Sequence, residues 1–496
     1  MTKSWIHFLE KNAIDFKNKF AVIDQGSNRE LTYEQLNNEV NAWASVLKEH
    51  GVGAGDAIAF YAPTNCLTHL TLMLASAKIK AMFVPLNFRL SYIEIEDVIN
   101  RLNPILYFGV GEKIFNVLTP YLDTSSVELK LNKFKDSDFT QTASGLDDTI
   151  LMLFTSGSTG VPKGVMFHGQ MLLSNQVETI NGWGLTSDDV TLVETPFFHT
   201  GGYNVLLLPL LYLGGTVILA SFFDAENVFS CIEKYKVSVY FGVPTMFQML
   251  LEKPRFNECD FSSIRFFISG GAACSKTMIE AYQKKNLVFK QGFGLTEVGP
   301  NCFLLDEKYA VTKSGSIGRA MPHSKVRVVT KEGRDAAVDE PGELLIAGPH
   351  VCLGYYKNAK AFEDTFKDGY FYTGDLVKQD ADGFFYVVGR IKDMYISGGE
   401  NVYPGEVEKQ ITTHSDIAEA VVVAVPSEKW GEVGFAFLKT ESEIKVEELR
   451  EFLNPLLSRY KHPHFIKCFK DFPLLPNGKV DRKTLKAQAL KLIEVV

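Results

Sequence analysis

At 496 residues the chain exceeds what one hydrophobic core supports, so several packed units are expected. Hydrophobic residues make up 46% and charged ones 22%, which excludes disordered and fibrous chains, and a net charge of −8 excludes a protein that grips nucleic acid through a broad basic face. The seven cysteines, Cys66, Cys231, Cys259, Cys274, Cys302, Cys352 and Cys468, form no CxxC pair, which excludes the usual zinc spacings and a dense disulfide framework and fits reduced thiols in a cytosol.

The stretch Met1 to Glu10 has no long apolar run behind a basic start, so no secretory leader is expected and the cytoplasm is the expected location. Thr32 and Gln35 have the spacing of a capping box, and Leu36, Val40, Trp43 and Leu47 share a face of the helix that follows, which Gly51 stops. Strands and helices then alternate: strand Asp56 to Tyr61, helix Leu67 to Ala81, strand Met82 to Leu86, helix Tyr92 to Leu102 and strand Ile105 to Gly109. Such alternation predicts parallel sheets covered by helices. After a polar stretch from Asp123 to Asp148, the strand Thr149 to Phe154 runs into a glycine-rich loop and opens a second α/β unit.

Pro196 to Phe223 carries no Asp, Glu, Lys or Arg, yet Pro209, Gly201, Gly202, Gly214 and Gly215 interrupt it. It is read as a buried helix, Tyr203 to Leu213, and a buried strand, Thr216 to Ala220, and no transmembrane segment is expected. Short strands at Val326 to Thr330 and Glu343 to Ala347 mark a β-rich subdomain. The strand Phe384 to Gly389 follows, and after Arg390 the pattern resets. A helix from Pro404, strands Ala418 to Val425 and Gly434 to Leu438, a helix Val446 to Tyr460 and a last helix from Asp481 make a small domain of about a hundred residues. The expected fold class is therefore α/β, with a large composite N-terminal domain of α/β subdomains plus a β-rich subdomain (1–391) and a small α+β C-terminal domain (392–496).

The strongest local signal is Thr155-Ser156-Gly157-Ser158-Thr159-Gly160-Val161-Pro162-Lys163-Gly164. Hydroxyls and backbone N–H groups in such a loop can wrap phosphate oxygens, and one lysine adds charge. Pro162 stands where a Walker A loop needs glycine, so this is not the P-loop of an NTPase.

From this loop onward the chain resembles the superfamily of acyl-CoA synthetases, firefly-type luciferases and peptide-synthetase adenylation domains. The matching motifs are Pro196-Phe197-Phe198-His199-Thr200-Gly201-Gly202, Gln291-Gly292-Phe293-Gly294-Leu295-Thr296-Glu297, Tyr372-Thr373-Gly374-Asp375, Gly389-Arg390-Ile391-Lys392-Asp393, Ser397-Gly398-Gly399-Glu400-Asn401 and Pro476-Asn477-Gly478-Lys479, with Leu31-Thr32-Tyr33 before them. The resemblance implies an AMP-forming acid–thiol ligase with ATP, Mg2+ and coenzyme A as co-substrates and cofactor. Such an enzyme joins a carboxylate to the α-phosphorus of ATP, releases pyrophosphate and passes the acyl group to a thiol.

The resemblance also implies the roles. Thr155, Ser156, Gly157, Ser158, Thr159, Gly160 and Lys163 hold the leaving phosphates. Gly271, Gln291, Gly292 and Phe293 lie against the nucleotide, Phe293 standing where the family often has Tyr. Thr296 touches the α-phosphate and Glu297 holds Mg2+. Asp375 accepts from the ribose hydroxyls and Arg390 donates to ribose or phosphate. His199 orients the carboxylate or gates the acyl pocket, and Lys479 stabilises the charge of adenylation. Lys392 is the hinge of a mobile C-terminal domain, and Gly399 lines the path of the pantetheine arm.

The run Ile396 to Pro404 resembles coenzyme A ligases more than peptide-synthetase adenylation domains, and a stand-alone adenylation enzyme serving a carrier protein is the rival reading. The candidate acyl-pocket stretches, His199 to Asn204, Phe241 to Met246, Ser269 to Ala273 and Val298 to Asn301, contain no Arg or Lys, which disfavours a dicarboxylate. A small-molecule monocarboxylic acid is expected, a medium- or long-chain fatty acid ahead of an aryl acid of cinnamate or benzoate type. Whether the chain forms a homodimer is left open.

Overall fold

The computed structural model describes residues 4–128, 131, 144–155, 162–398, 400–475 and 479–493. Packing divides the chain into two compact units, Met1–Val326 with Ile346–Phe371, and Arg327–Leu345 with Tyr372–Val496. This division by packing places 327–345 and 372–391 with the C-terminal residues. The boundary expected from the sequence lies elsewhere, after residue 391.

The first unit holds two sheets. One has the strand order Arg319–Ala320, Gly299–Leu305, Phe289–Leu295, Phe266–Ser269, Val239–Gly242, Val190–Val193, Thr216–Leu219, Phe20–Asp24, Arg29–Thr32. It is parallel from Phe289–Leu295 to Phe20–Asp24 and antiparallel at its edges. The other has the order Gly354–Tyr355, Lys163–His168, Thr149–Thr155, Met82–Pro85, Ala57–Phe60, Leu106–Gly109, Tyr121–Asp123. Its central strands Ala57–Phe60, Met82–Pro85 and Leu106–Gly109 are buried at every position, which is why they read as continuous apolar runs and not as alternation.

Local chemistry explains the helices between them. Tyr33–Glu49 begins at Thr32, whose side chain accepts from the Gln35 N–H while Gln35 reaches back, and Ser91 and Glu94 do the same for Tyr92–Leu102. The apolar segment read as one helix over Tyr203 to Leu213 is two, Thr200–Asn204 and Leu207–Leu213. Pro209 has no N–H to give to the carbonyl four residues back, so the ladder breaks near Val205, and Pro209 sits in the first turn of the second helix, where no donor is needed. Among the described residues no helix is long and apolar enough to cross a membrane.

In a further sheet, most of whose residues belong to the second unit, Gly342–Ala347 lies between Lys325–Val329 and Tyr370–Gln379, and Phe385–Arg390 pairs antiparallel with Tyr370–Gln379. Glu419–Ser427 and Gly431–Lys439 form the centre of the last sheet. Val422, Ala424, Ala436 and Leu438 pack into one cluster, and Val421, Val423, Val425, Phe435 and Phe437 into another on the opposite face. The helix expected to run from Val446 to Tyr460 ends at Leu453, because Pro455 follows and restricts the residue before it.

One buried carboxyl gives the first unit a pH dependence. Glu194 follows the strand Val190–Val193, is 3% exposed, and accepts from the Tyr240 hydroxyl at 2.8 Å and the Asp224 N–H at 3.3 Å. Burial pushes it up to about 8 against those hydrogen bonds. The folded state therefore keeps a proton that the unfolded state releases near pH 4.5, and stability falls as pH rises between the two values. Glu194→Gln can still accept from the Asp224 N–H through its oxygen, can donate from its amide nitrogen to the Tyr240 hydroxyl oxygen, and removes the titration. Its unfolding free energy in urea should stay flat between pH 5 and pH 8, where the unsubstituted protein loses roughly 3 kcal/mol. An identical slope in both proteins would show that Glu194 is not the group responsible.

Candidate active site

Two clusters of predicted residues form, one in each unit. In the first, Phe289–Leu295 turns back through the 3-10 turn Thr296–Val298 into Gly299–Leu305. Two glycines make the turn this tight. A Cβ on Gly294 would lie 2.1 Å from the Gly299 carbonyl oxygen, and Gly299 itself has φ +81°. The turn carries Thr296 and Glu297, both half-buried.

The hairpin Thr149–Thr155 and Lys163–His168 pairs Thr155 with Lys163, whose carbonyl accepts from the Thr155 hydroxyl at 3.4 Å. Ser156, Gly157, Ser158, Thr159 and Gly160 lie outside the described residues. The Lys163 ammonium sits 4.7 Å from the centroid of the Tyr355 ring, and the Tyr355 hydroxyl donates to Glu297 Oε1 at 3.0 Å. Lys163 and Glu297, 134 positions apart in the sequence, thus share one tyrosine. That tyrosine was missed. Gly354–Tyr355 is a strand of two residues, too short for any periodicity to mark it.

Three of the four candidate pocket stretches converge on the Phe241 ring. A Cβ on Gly201 or on Gly270 would stand 3.2 Å from it, and the Gly270 position is 3.5 Å from the Gly292 carbonyl oxygen. The fourth stretch joins through Asn175, which donates to the Asn204 carbonyl at 2.7 Å and lies 3.2 Å from the Cβ position of Gly299. His199 occupies the N-cap position of the short helix Thr200–Asn204, without a side-chain capping bond, and lies 4.6 Å from Phe198, centroid to centroid. Gly271 is exposed and has φ +81°, and Phe293 packs edge-on against Phe303. Gln291 is buried. Its Oε1 accepts from the Cys274 N–H at 2.9 Å, while its Nε2 has no hydrogen-bond partner among the described residues.

In the second unit Asp375 and Arg390 face each other across paired strands, with Arg390 Nε 2.7 Å from Asp375 Oδ1. Thr373 and Gly374 fix the carboxylate's backbone, the Thr373 hydroxyl donating to the Leu344 carbonyl and the Gly374 N–H to Glu343. Burial holds the Asp375 carboxyl above its ordinary value, against the pull of Arg390, Lys479 and Lys392. Lys479 is exposed as a residue. Its ammonium is nonetheless crowded by protein atoms, and desolvation, then the like charge of Arg390, holds it below the usual lysine value against the attraction of Asp375. Lys392 is exposed in the 3-10 turn Ile391–Asp393, directly after the strand that ends at Arg390. Gly399 lies outside the described residues.

No group of three or more His, Cys, Asp or Glu side chains that could hold a metal ion occurs among the described residues. A lone carboxylate such as Glu297 fits Mg2+, which is commonly held by one or two carboxylates together with substrate phosphates and water.

The model of the AMP-binding enzyme family matches residues 9–356, and that of the AMP-binding enzyme C-terminal domain matches residues 406–479. The chain is 36% identical over 456 residues to a feruloyl-CoA synthase from Amycolatopsis sp, covering 91% of this chain and 92% of that one. It is 32% identical to the indoleacetate–CoA ligase of Aromatoleum aromaticum, covering 92% and 93%, and 31% identical to the long-chain-fatty-acid–CoA ligase FadD13 of Mycobacterium tuberculosis, covering 94% and 95%. Among solved structures, o-succinylbenzoate CoA synthetase from Bacillus subtilis in complex with its acyl-adenylate intermediate superposes with a TM-score of 0.86 at 27% identity, covering 98% of each chain.

Proposed function

This chain belongs to the AMP-binding enzyme family and is an ATP-dependent, AMP-forming acid–CoA ligase, and from that premise we propose that its acid is an aryl carboxylic acid of the arylacrylic or arylacetic kind. The fatty acid preferred from sequence alone is the weaker reading, supported by one of the three relatives above. The observation that carries the aryl reading is the likeness, over more than nine-tenths of each chain, to a feruloyl-CoA synthase and an indoleacetate–CoA ligase. The half-buried Phe241 ring, against which the Gly201 and Gly270 backbones pack, supplies an aromatic side chain among the pocket stretches. The absence of Arg and Lys from the pocket stretches supports a monocarboxylate.

In the first half-reaction a carboxylate oxygen attacks the α-phosphorus of ATP, the bond to the β-phosphate oxygen breaks, and pyrophosphate leaves. Lys163, with the loop that starts at Thr155, holds the leaving phosphates, and the Thr296 hydroxyl contacts the α-phosphate. Glu297 would hold Mg2+, whose charge offsets that on the departing pyrophosphate. Lys479 supplies positive charge to the transition state, and the Asp375–Arg390 pair receives the ribose. In the second half-reaction the thiolate of coenzyme A attacks the acyl carbon and AMP leaves. Lys392 is the pivot between the two.

A panel of ferulate, indoleacetate, benzoate, octanoate and palmitate, each assayed with ATP and coenzyme A for thioester, tests this reading. An arylacrylate or arylacetate should lead the alkanoates by at least about tenfold in kcat/KM, a margin of about 1.4 kcal/mol. Octanoate or palmitate leading by that margin would restore the fatty-acid reading.

A further inference from the structure

The residues that follow the strand Gly342–Ala347 strap three parts of the first unit together. Within this segment the His350 ring meets the Val298 carbonyl at 2.8 Å through Nδ1 and the Ser324 hydroxyl at 3.0 Å through Nε2. A carbonyl only accepts, so Nδ1 carries the proton and Nε2 receives the serine's. The Cys352 N–H donates to the Glu297 carbonyl at 2.7 Å. The Leu353 and Tyr356 N–H groups donate to the Met166 and Gly164 carbonyls, so the strap also runs antiparallel along the strand that begins at Lys163.

Tyr355 lies between these attachments. It is 5% exposed, Phe362 packs edge-on against its ring at 5.8 Å, and its backbone is paired with Val165. A ring held on so many sides does not swing. Its two faces of chemistry point to different motifs: the hydroxyl donates to Glu297 Oε1, and the ring lies under the Lys163 ammonium. The hydrogen bond fixes one carboxylate oxygen, and the cation–π contact restricts a side chain that otherwise has four rotatable bonds.

We propose that Tyr355 is a positioning residue for the ATP half-reaction, which orients the Glu297 carboxylate toward Mg2+ through its hydroxyl and seats the Lys163 ammonium through its ring. The proposal rests on the reading of Glu297 and Lys163 given above. It places the fixed geometry between metal carboxylate and phosphate lysine in a third residue that contacts both.

The test is calorimetric binding of ATP, without any acid, in EDTA and in Mg2+. The ratio of the two Kd values reports how much the metal contributes. Tyr355→Phe keeps the ring and should shrink that ratio about five- to tenfold, with the Kd in EDTA within twofold of the unsubstituted protein. Tyr355→Leu removes the ring too, and should in addition weaken ATP in EDTA about threefold or more. Thermal unfolding of both variants serves as the control for packing. An unchanged ratio in a folded Tyr355→Phe protein overturns the proposal, and so does a loss of ATP affinity in EDTA as large as the loss in Mg2+, which is what a merely structural role would give. If the unsubstituted protein binds ATP with no help from Mg2+, the reading of Glu297 fails instead, and that failure is distinguishable before any variant is made.

Discussion

Lys479→Ala is expected to slow formation of the acyl-adenylate by roughly 10²- to 10³-fold, the loss that follows removal of one preorganised donor aimed at developing charge. The same variant should still convert supplied acyl-adenylate and coenzyme A to thioester. The separation is the informative part. In adenylation negative charge gathers on the α-phosphate and the carboxylate, and a cation there lowers the barrier. In thioester formation the acyl carbon is attacked by sulfur and AMP leaves, a step for which the proposal gives Lys479 no task. The lysine's surroundings fit the first role: its ammonium is held below the usual lysine value by desolvation and Arg390, and Asp375 is close enough to oppose them. Adenylation in the unsubstituted protein should therefore fall off on the alkaline side at a lower pH than an ordinary lysine would give, and Lys479→Ala should lack that limb. Rapid-quench measurement of the two half-reactions decides the matter. Equal loss in both would mean that Lys479 maintains structure.

Gly294→Ala is the second change with a large expected effect. Ala at this position puts a methyl carbon 2.1 Å from the Gly299 carbonyl oxygen and 2.4 Å from the Pro300 carbonyl carbon, and both obstacles are backbone, which cannot rotate away as a side chain can. The strands Phe289–Leu295 and Gly299–Leu305 must part at the point where Leu295 pairs with Gly299, and the turn between them carries Thr296 and Glu297. Overpacking of this kind costs about 1–3 kcal/mol and sometimes more. ATP–pyrophosphate exchange should drop by at least about 10²-fold, because displacement of a positioned group by about 1 Å is already that costly. Melting temperature and exchange rate measured on one preparation test this. Normal exchange in Gly294→Ala would show that the turn's geometry is not needed.

The parts of the fold that were legible in the sequence are those set by local chemistry. The capping boxes at Thr32 and Ser91 are examples, although only the first was recognised as one, and the helix Tyr92–Leu102 has the bounds read for it. The helix His7–Asp15 was not read, having a weak apolar stripe and no side-chain cap to announce it. Pro209 and Pro455 were both visible, yet the helices around them were drawn through, because an apolar run looks continuous until the missing N–H is counted.

The site divides in the same way. Residues carried by contiguous motifs could be named, from Lys163 and Glu297 to Asp375 and Arg390. Tyr355 could not, because its importance comes from a contact with residues 58 and 192 positions away. The order of the candidate acids was reversed by likeness over the whole chain, which a list of pocket residues does not supply. Gly201, Gly270 and Phe241 were all counted as pocket positions, but a list of small and apolar residues does not distinguish a flat acid from a long one.

The most direct test of the central claim is to run one turnover with an aryl acid labelled with ¹⁸O in both carboxylate oxygens, then analyse AMP, pyrophosphate and the thioester by mass spectrometry. Attack of the carboxylate on the α-phosphorus transfers one label to AMP, leaves one in the thioester carbonyl and puts none in pyrophosphate. Label in inorganic phosphate with ADP as the nucleotide product, or no label in AMP, would contradict the account.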